Sequence, residues 1–366
     1  MKTINAYANI FGPIGYAHHA RKFYAALNKI VPVCLAPKYG QLPPEAGDPP
    51  FSEMLQRLLN IDLNAVAINL DYPEEMFRFT GSKKIGYTVF ETEIISASGM
   101  NQLKQLNQVW VPTQWGKEIL VKNGLSAAAI RVVPEGVDTQ VFSPEGTGFD
   151  QLKQIEGYKF LSVGKWEERK GIRELLQSFD GAFNESDQVY LVLYYPSHVS
   201  ALQKINVNDE VNKLNLSNRK KVIVVDTLLP REQDMAHLYA SCDAYVSASK
   251  AEGWGLPITE AMASGLPVIA PFYSGPTEYL THENAICLNI DAKEEVYCPV
   301  FFPQKGSHGY WAKIDQEQLA AKMKWVYQNQ GAAKLIGKQA SLDMQQKWTW
   351  DQAAAKAVGY LSDNAG

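Results

Sequence analysis

Short apolar runs rich in Val, Ile, Tyr and Ala alternate with longer amphipathic segments along most of the chain. This alternation is typical of βαβ units, in which helices join parallel strands. In the first part of the chain it predicts six strands and three helices. The strands are expected near residues 3–9, 31–35, 65–70, 85–90, 108–111 and 130–134, and the helices near 16–29, 52–60 and 114–123.

The same pattern returns after about residue 155 and predicts a second parallel sheet. Its strands are expected near residues 158–163, 189–194, 221–225, 244–248 and 267–270. Between the two series, the Gly- and Pro-bearing stretch 143–148 is typical of an interdomain linker. We therefore predict an α/β protein with two doubly wound domains. One comprises residues 1–145 and 347–366, with the last helix returning to it, and the other comprises residues 156–346.

Residues 289–314 interrupt the second series with a loop longer than a compact domain normally contains. The hydrophobic and aromatic side chains of residues 297–311 could contact a substrate or a partner. The competing interpretation, which we favour, is a surface loop folded over its own domain.

Composition narrows the class of protein. Of 366 residues, 46% are hydrophobic and 20% are charged, which is typical of folded globular chains. The net charge of −4 gives no global positive field for nucleic acid, so no nucleic-acid partner is expected. Four widely spaced cysteines are predicted to be free thiols in the core. Without an apolar signal region or an 18-residue apolar run, we expect a cytoplasmic protein.

The most informative segment is residues 249–270, which contains strand, loop, helix and strand in one run. Pro257 is suited to the first helical turn, and Gly265 to the position just after the helix ends. Glu252 is then expected in the loop, and Glu260 in the first turn.

Two glycines before this helix, Gly253 and Gly255, leave the backbone uncovered where free N–H groups favour a phosphate. In open α/β sheets, ligands bind at the carboxyl ends of the strands, and this loop follows a predicted strand. Two carboxylates beside a phosphate site indicate a ligand with hydroxyl groups as well as phosphate, such as a sugar nucleotide.

A cationic turn follows the first strand of the second series, at residues 164–171. Lys165 and Lys170 lie five residues apart, so both amines could converge on one diphosphate, with Arg169 as a third cation. A solvated surface turn is the competing interpretation.

These segments resemble a known family, the retaining glycosyltransferases of family 4. Glu252 and Glu260 match its E-x7-E motif within EGWGLPITEAMASGLPVIA. Val163-Gly164-Lys165 with Lys170-Gly171 is similar to its G-R-x4-K-G segment, with Lys165 where arginine is usual. Its remaining landmarks are similar to Val111–Thr113, Val133–Asp138, Phe142–Pro144 and Trp348–Asp351.

The resemblance implies the GT-B fold, in which two Rossmann-like domains face each other across an interdomain cleft. It also implies transfer of a hexose, with retention, from a UDP- or GDP-linked donor to a hydroxyl of a saccharide or lipid-linked acceptor. Lys165 and Lys170 would hold the donor diphosphate, Glu252 the hydroxyls of the transferred sugar, and Glu260 the ribose diol. The backbone of Gly253, Trp254, Gly255 and Leu256 would meet sugar and phosphate. If the acceptor is lipid-linked, the protein would contact the inner face of a membrane.

Other candidate residues lie outside these segments. Gly12 and Gly15 resemble part of the family's first glycine-rich loop and would let the backbone approach the donor phosphates. Glu91 or Glu93 would lie near the acceptor hydroxyl, with a helix-capping or solvated acid as the competing interpretation. The adjacent His18 and His19 are expected to be surface or packing residues. Thr227 and Leu228, which follow a predicted strand, would meet the nucleotide base through their backbone.

We expect metal-independent transfer and no cofactor, because the chain has no D-x-D motif and no cluster with zinc spacing. A nicotinamide-dependent oxidoreductase is disfavoured, since no G-x-G-x-x-G follows a strand. A nucleotide-sugar isomerase or hydrolase on the same scaffold stays open, as does a non-catalytic partner subunit. The sugar, base, acceptor and oligomeric state are also open.

Overall fold

The computed structural model describes residues 3–12, 14–38, 47, 49–196 and 205–362. The chain forms two units, one of Met1–Gly136 with Trp348–Gly366 and the other of Val137–Lys347. The predicted boundaries differ from this division at both ends of the second unit. Residues 137–145 and residue 347, predicted with the first domain, lie in the second unit, as do residues 146–155, which were assigned to neither domain.

The first unit contains one parallel sheet in the strand order β2-β1-β3-β4-β5-β6. Its strands are β1 Ile4–Ala8, β2 Val33–Pro37, β3 Val66–Leu70, β4 Lys84–Tyr87, β5 Gln108–Val111 and β6 Ile130–Val132. Its helices are α1 Gly15–Asn28, α2 Phe51–Gln56, α3 Ala97–Leu103, α4 Gln114–Lys122 and α12 Trp350–Ser362. All six predicted strands and all three predicted helices are confirmed, with boundaries shifted by a few residues. The helix predicted at 52–60 continues from α2 into a 3₁₀ turn, Arg57–Asn60.

Of the two other helices of the first unit, α3 was not predicted, whereas α12 is the predicted last helix that returns to this domain. Helix α3 is short, and its N-terminus is fixed by Ser96, whose hydroxyl accepts from the Gly99 N–H at 3.0 Å. Helix α12 packs against α1, where the Lys29 amine pairs with the Asp351 carboxylate at 2.7 Å.

The second unit contains a six-stranded parallel sheet in the order β12-β11-β10-β7-β8-β9. Its strands are β7 Tyr158–Val163, β8 Val189–Tyr194, β9 Val222–Val224, β10 Ala244–Val246, β11 Val268–Pro271 and β12 Ile286–Leu288. Its helices are α5 Asp150–Lys153, α6 Ile172–Ala182, α7 Val207–Asn212, α8 Glu232–Tyr239, α9 Leu256–Ala263, α10 Gln316–Gln328 and α11 Gln330–Lys347. The five predicted strands are confirmed, and the short β12 is an addition. Two doubly wound parallel sheets therefore confirm the α/β class.

The stretch predicted as a linker, 143–148, packs on the second unit instead of spanning open space. Pro144 lies against Gly265, and the nearby Phe142 ring contacts the Tyr239 ring at 5.8 Å between centroids. Glycine and proline mark turns, but composition alone does not tell a packed turn from a free connection.

Residues 289–314, predicted as an excursion, contain a two-stranded antiparallel hairpin. Its strands are β13 Lys293–Glu295 and β14 Tyr310–Ala312. The segment also contributes Val296, Cys298 and Trp311 to a buried apolar cluster with Ala251. It is therefore folded over its own domain, which is the interpretation that we favoured, but as an ordered hairpin.

All four cysteines are buried free thiols, as predicted. Within the described ranges, no helix has both the length and the apolar character needed to cross a membrane.

Candidate active site

The carboxyl ends of β7 and β10, which are neighbours in the second sheet, carry the cationic turn and the glycine loop. The loop after β10 ends at Gly255, the N-cap of α9, with a φ of 98°. A side chain there would be strained and would meet the Tyr279 hydroxyl at 3.0 Å. Pro257 lies in the first turn, as predicted. Glu260 is the fifth residue of α9 and begins the second turn, so its predicted place in the first turn is wrong by one position, because the helix already begins at Leu256.

Glu252 is buried, with its side chain 10% exposed, and both of its carboxylate oxygens have partners. The Lys170 amine lies 2.5 Å from Oε1, and Arg169 Nη1 lies 2.9 Å from Oε2. The Ser249 hydroxyl donates to Oε1 at 2.6 Å. These contacts fix the position of the carboxylate within the second unit.

The same contacts determine the charge of Glu252. Burial alone would raise the pKa of this carboxyl, but the charges of Lys170 and Arg169 and the hydrogen bonds from Lys170 and Ser249 outweigh it. They lower the pKa to about 2. Glu252 is therefore an ionised hydrogen-bond acceptor at neutral pH, and its environment is that of a binding group rather than of a general acid.

The cationic turn is only partly as predicted. Arg169 and Lys170 lie in a short 3₁₀ helix, Glu168–Lys170, and both point to Glu252. Arg169 Nη1 also donates to the Ala251 carbonyl at 2.7 Å. Lys165 is half-buried and has no ion-pair partner among the described residues. Its neighbour Gly164 lies beside the Lys170 stem, where an added Cβ would be 3.5 Å from Lys170 Cδ. The two lysines therefore share one turn, but only Lys170 is engaged.

The backbone of Glu252 is anchored by the turn that follows β11. Its N–H donates to the Ser274 hydroxyl at 2.9 Å, and its carbonyl accepts from the Gly275 N–H at 2.9 Å. Gly275 packs directly on the Gly253 backbone and leaves no room for a Cβ. This close approach explains a glycine at position 275.

Glu260 has different partners. The buried Tyr239 hydroxyl donates to Glu260 Oε2 at 2.8 Å, and it also lies 3.2 Å from the Pro257 carbonyl. Burial first, and then the charge of Glu260, raises the pKa of Tyr239 well above its ordinary value, so the phenol stays protonated. A neutral donor thus holds this half-buried carboxylate.

The prediction that Gly253 and Gly255 leave the backbone uncovered is wrong, because both residues are buried. Trp254 is also buried, and Leu256 is half-buried. The Trp254 ring packs against Tyr279 at 4.9 Å between centroids.

The predicted base-contacting residues, Thr227 and Leu228, are exposed after β9, an edge strand. Strand β8 separates β9 from β7 in the sheet, so these residues are not part of the Glu252 cluster. Gln151 Nε2 donates to the Thr227 hydroxyl at 2.9 Å.

Gly12, Gly15, Glu91 and Glu93 belong to the first unit. Gly12 has a φ of 76°, and Gly15 begins α1. Glu91 and Glu93 are half-buried in the loop between β4 and α3, and neither caps α3. This loop is held near α1, because the Val89 N–H donates to the Tyr16 hydroxyl at 2.9 Å.

His19 is a packing residue, as predicted. Its ring is buried against Tyr87, at 4.6 Å between centroids, and against Trp350 at 5.5 Å. Burial, with a smaller contribution from His18, holds the pKa of His19 well below its ordinary value. His18, which is half-buried, lies 6.1 Å from the Trp350 ring. In the described part of the chain, no group of three or more His, Cys, Asp or Glu side chains is placed to hold a metal ion.

The sequence reasoning missed four residues of this site: Ser249, Ser274, Tyr239 and Lys250. A Ser-Gly-Pro turn directly after β11 was a usable signal for Ser274, because loops after adjacent parallel strands meet. Tyr239 lies in an ordinary amphipathic helix, and nothing in its local sequence distinguishes it.

A family model described as "Glycosyl transferases group 1" matches residues 148–343, which is more than half of the chain. The alpha-monoglucosyldiacylglycerol synthase of Streptococcus pneumoniae (strain ATCC BAA-255 / R6) is 31% identical over 149 residues, covering 38% of this chain and 32% of that protein. The GDP-mannose:cellobiosyl-diphosphopolyprenol alpha-mannosyltransferase of Xanthomonas campestris is 23% identical over 158 residues, covering 42% and 38%. Each match thus spans only about a third of the relative's length.

The crystal structure of HepE from Anabaena, in complex with UDP-glucose, is similar to this chain with a TM-score of 0.72 and 15% identity. The match covers 99% of this chain and 100% of the other. At this identity the likeness shows the fold, and it confirms the GT-B fold expected from the sequence. The family model spans Glu252 and the residues that bind its carboxylate, Lys170, Arg169 and Ser249. The chain therefore belongs to the glycosyl transferases group 1 family, a family of enzymes.

Proposed function

We propose that the protein is a retaining glycosyltransferase that moves a hexose from a UDP- or GDP-linked donor to a hydroxyl of a saccharide or lipid-linked acceptor. One observation carries the proposal. An ionised, buried carboxylate, Glu252, is fixed by Lys170 and Arg169 next to the N-terminal end of α9. Cations and free helix N–H groups suit a diphosphate, and a fixed carboxylate suits sugar hydroxyls.

The donor diphosphate would lie at the N-terminal end of α9. The Lys170 amine donates to Glu252, which holds it beside this helix end, and Lys165 lies on the same turn. The backbone N–H groups from Gly253 to Leu256 would complete the phosphate site. Arg169, whose guanidinium holds both Glu252 and the Ala251 carbonyl, is better placed to orient the carboxylate than to bind phosphate.

The two carboxylates would then bind different parts of the donor. Glu252 would accept hydrogen bonds from hydroxyls of the transferred sugar, and Glu260 from the ribose diol. An ionised carboxylate is an acceptor only, and hydroxyl groups are donors that match it. A hydrogen bond to a charged group contributes about 1.5–3 kcal/mol.

In the reaction, the bond between the anomeric carbon and the phosphate oxygen breaks, and the acceptor oxygen forms the new bond on the same face. The acceptor proton passes to the departing diphosphate. Lys165 and Lys170 would stabilise the negative charge that develops there, so catalysis would be mainly positioning and electrostatic stabilisation. We propose that this pair makes transfer independent of a metal ion.

The first unit would bind the acceptor and, through Gly12 and Gly15, approach the donor phosphates. Glu91 or Glu93 would lie near the acceptor hydroxyl as a polar or basic partner. The relatives' names include a diacylglycerol product and a polyprenol-linked acceptor, which supports a lipid-linked class as well as a saccharide. The protein would act in the cytosol, with contact at the inner face of a membrane if the acceptor is lipid-linked.

A thermal-shift screen against UDP- and GDP-linked hexoses, followed by a transfer assay with the stabilising donors, tests the proposal. Stabilisation follows ligand affinity, so a cognate donor raises the melting temperature of the wild type. Transfer that persists in a chelator supports metal independence, and complete loss that a divalent ion restores would refute it. The proposal fails if no donor binds and no hexose is transferred.

Replacing Glu91 and Glu93 singly by Gln tests the acceptor side. Because the departing diphosphate takes the acceptor proton, Glu91 or Glu93 would act by orienting the acceptor hydroxyl. Misplacing a reacting group can cost about 100-fold in rate, so one of the two variants should lose transfer towards that level while donor binding stays unchanged. Unchanged rates in both variants would remove these residues from the mechanism.

A further inference from the structure

Lys250 precedes Glu252 by two residues, and its side chain is only 7% exposed. Its amine lies 2.6 Å from Glu174 Oε1 on α6 and 2.6 Å from Glu294 Oε1 on β13. Burial alone would lower the pKa of Lys250, but the hydrogen bonds and charges of the two carboxylates outweigh it and raise the pKa. The amine is therefore a buried cation that joins two separate elements.

The backbone of Lys250 makes a second pair of links. Its N–H donates to the Arg169 carbonyl at 2.7 Å, and its carbonyl accepts from the Ala312 N–H of β14 at 3.0 Å. Arg169 is the residue whose guanidinium holds Glu252. One residue thus ties the cationic turn, α6 and both strands of the hairpin to the glycine loop.

Apolar packing reinforces these links at the next residue. Ala251 is buried in a cluster with Val296, Cys298 and Trp311, and Tyr273 and Phe302 pack on its edge. The hairpin segment (residues 289–314) therefore covers the loop immediately before Glu252. None of the residues through which it does so is among those assigned to the donor.

We propose that Lys250 is a positioning residue: by joining the hairpin segment to the glycine loop, it holds Glu252 in the place where the transferred sugar binds. This inference rests on the proposed function, since the sugar contact of Glu252 belongs to it. Lys250 itself touches no substrate. Its effect is geometric, because a displacement of about 1 Å in a reacting group can cost about 100-fold in rate.

Lys250→Met is the principal variant. We expect kcat with the cognate nucleotide sugar to fall about 10- to 100-fold, because the Glu252 carboxylate is no longer held in position. Affinity for the nucleoside diphosphate alone should stay within about twofold, since that ligand lacks the sugar. A general loss of structure would lower the affinity for the nucleotide sugar and for the nucleoside diphosphate equally, and it would lower the melting temperature of the variant.

Two further variants test the ion pairs, and a third is a control. Lys250→Arg keeps the cation and should recover most of the rate. Glu294, at the other end of the link, is more exposed, so Glu294→Gln should lower kcat by less than Lys250→Met does. In the double variant the two losses should be smaller than their sum, because both remove the same ion pair. Lys313→Met, which removes an exposed lysine next to β14, is the matched control and should behave as wild type.

The inference is overturned if Lys250→Met and Glu294→Gln both keep the wild-type kcat, or if both ligands lose affinity to the same extent. If Lys250→Met does not fold, Glu294→Gln decides: a wild-type kcat in that variant overturns the inference. A wild-type protein that transfers no hexose would overturn the proposed function together with this inference. If the wild type transfers hexose and the variants keep its kcat, this inference is rejected and the proposed function stands.

Discussion

The glycine loop and helix α9 carry the two glutamates of one motif, but they hold them in different ways. In the loop, Glu252 is buried and bound by two cations and a hydroxyl. In the helix, Glu260 is half-buried and accepts from the neutral phenol of Tyr239. The spacing of the motif thus places both carboxylates at one end of the sheet, while the partners give them different tasks.

The difference assigns to Glu252 a negative charge held by cations, and to Glu260 a contact with a protonated phenol. A carboxylate held by charged partners keeps its place and charge before the donor arrives, and preorganised groups contribute most to catalysis. We therefore expect changes around Glu252 to affect the chemical step, and changes around Glu260 to affect binding of the nucleotide.

Removal of the cation beside Glu252 should have the largest effect. Lys170→Met deletes the proposed stabiliser of the leaving group and leaves Glu252 with Arg169 as its only cation among the described partners. We expect kcat to fall about 100- to 1,000-fold, measured by transfer at saturating donor. A loss below about threefold would contradict the assigned role.

The charge of Glu252 should also be visible in stability. Its pKa is about 2 in the folded protein against an ordinary value of 4.5, so its ionised form stabilises the fold by roughly 3 kcal/mol. The pKa is lowered on folding, so this contribution is complete above about pH 4.5 and is lost as the pH falls towards 2.

Chemical denaturation of the wild type and Glu252→Gln between pH 2 and pH 6 measures this contribution. The variant lacks the titrating group, so the difference in unfolding free energy should shrink as the pH falls through this range. A difference that does not change with pH would show that the Glu252 charge is not coupled to folding.

The pattern of apolar positions predicted the sheets well and the irregular parts poorly. Strands such as β7 and β8 are six buried or half-buried residues long, and their apolar runs are distinctive. Strand β12 was missed although it is no shorter than β9 and β10, which were predicted. The hairpin of β13 and β14 was also missed, because its ordering depends on Lys250 and Ala251, which are distant in sequence.

The candidate site was predictable to a similar degree. Spacing placed Glu252 and Lys170 together, because loops after neighbouring parallel strands converge. Spacing did not predict that Arg169 would bind Glu252, nor that Ser274 would anchor its backbone, because these contacts depend on side-chain directions in the folded unit.

A change at Glu260 should have a smaller effect than one at Lys170, and it should alter the affinity for the nucleotide rather than kcat. Glu260→Gln removes the charge that would accept from the ribose hydroxyls, so affinity for the nucleoside diphosphate should fall about tenfold. The kcat at saturating donor should stay close to that of the wild type. Calorimetric titration with UDP or GDP measures this affinity. An equal fall in affinity and kcat would show that Glu260 is not distinct from Glu252 in its role.

Tyr239→Phe should have the smallest effect. It removes one neutral donor to Glu260 and leaves the ring in the core, so affinity for the nucleoside diphosphate should weaken roughly threefold. The same titration measures it, with Tyr158→Phe as a matched control, since that hydroxyl donates to the Asp243 carbonyl and lies at the start of β7, away from the carboxyl ends of the strands. A larger loss than in Glu260→Gln would mean that Tyr239 acts other than through Glu260.

The most direct measurement compares wild type and Glu252→Gln in calorimetric titrations with the cognate nucleotide sugar and with its nucleoside diphosphate. If Glu252 holds the transferred sugar, the variant should bind the nucleoside diphosphate as the wild type does and lose affinity only for the nucleotide sugar. Equal affinity of wild type and variant for the nucleotide sugar, or an equal loss for both ligands, would contradict the assignment.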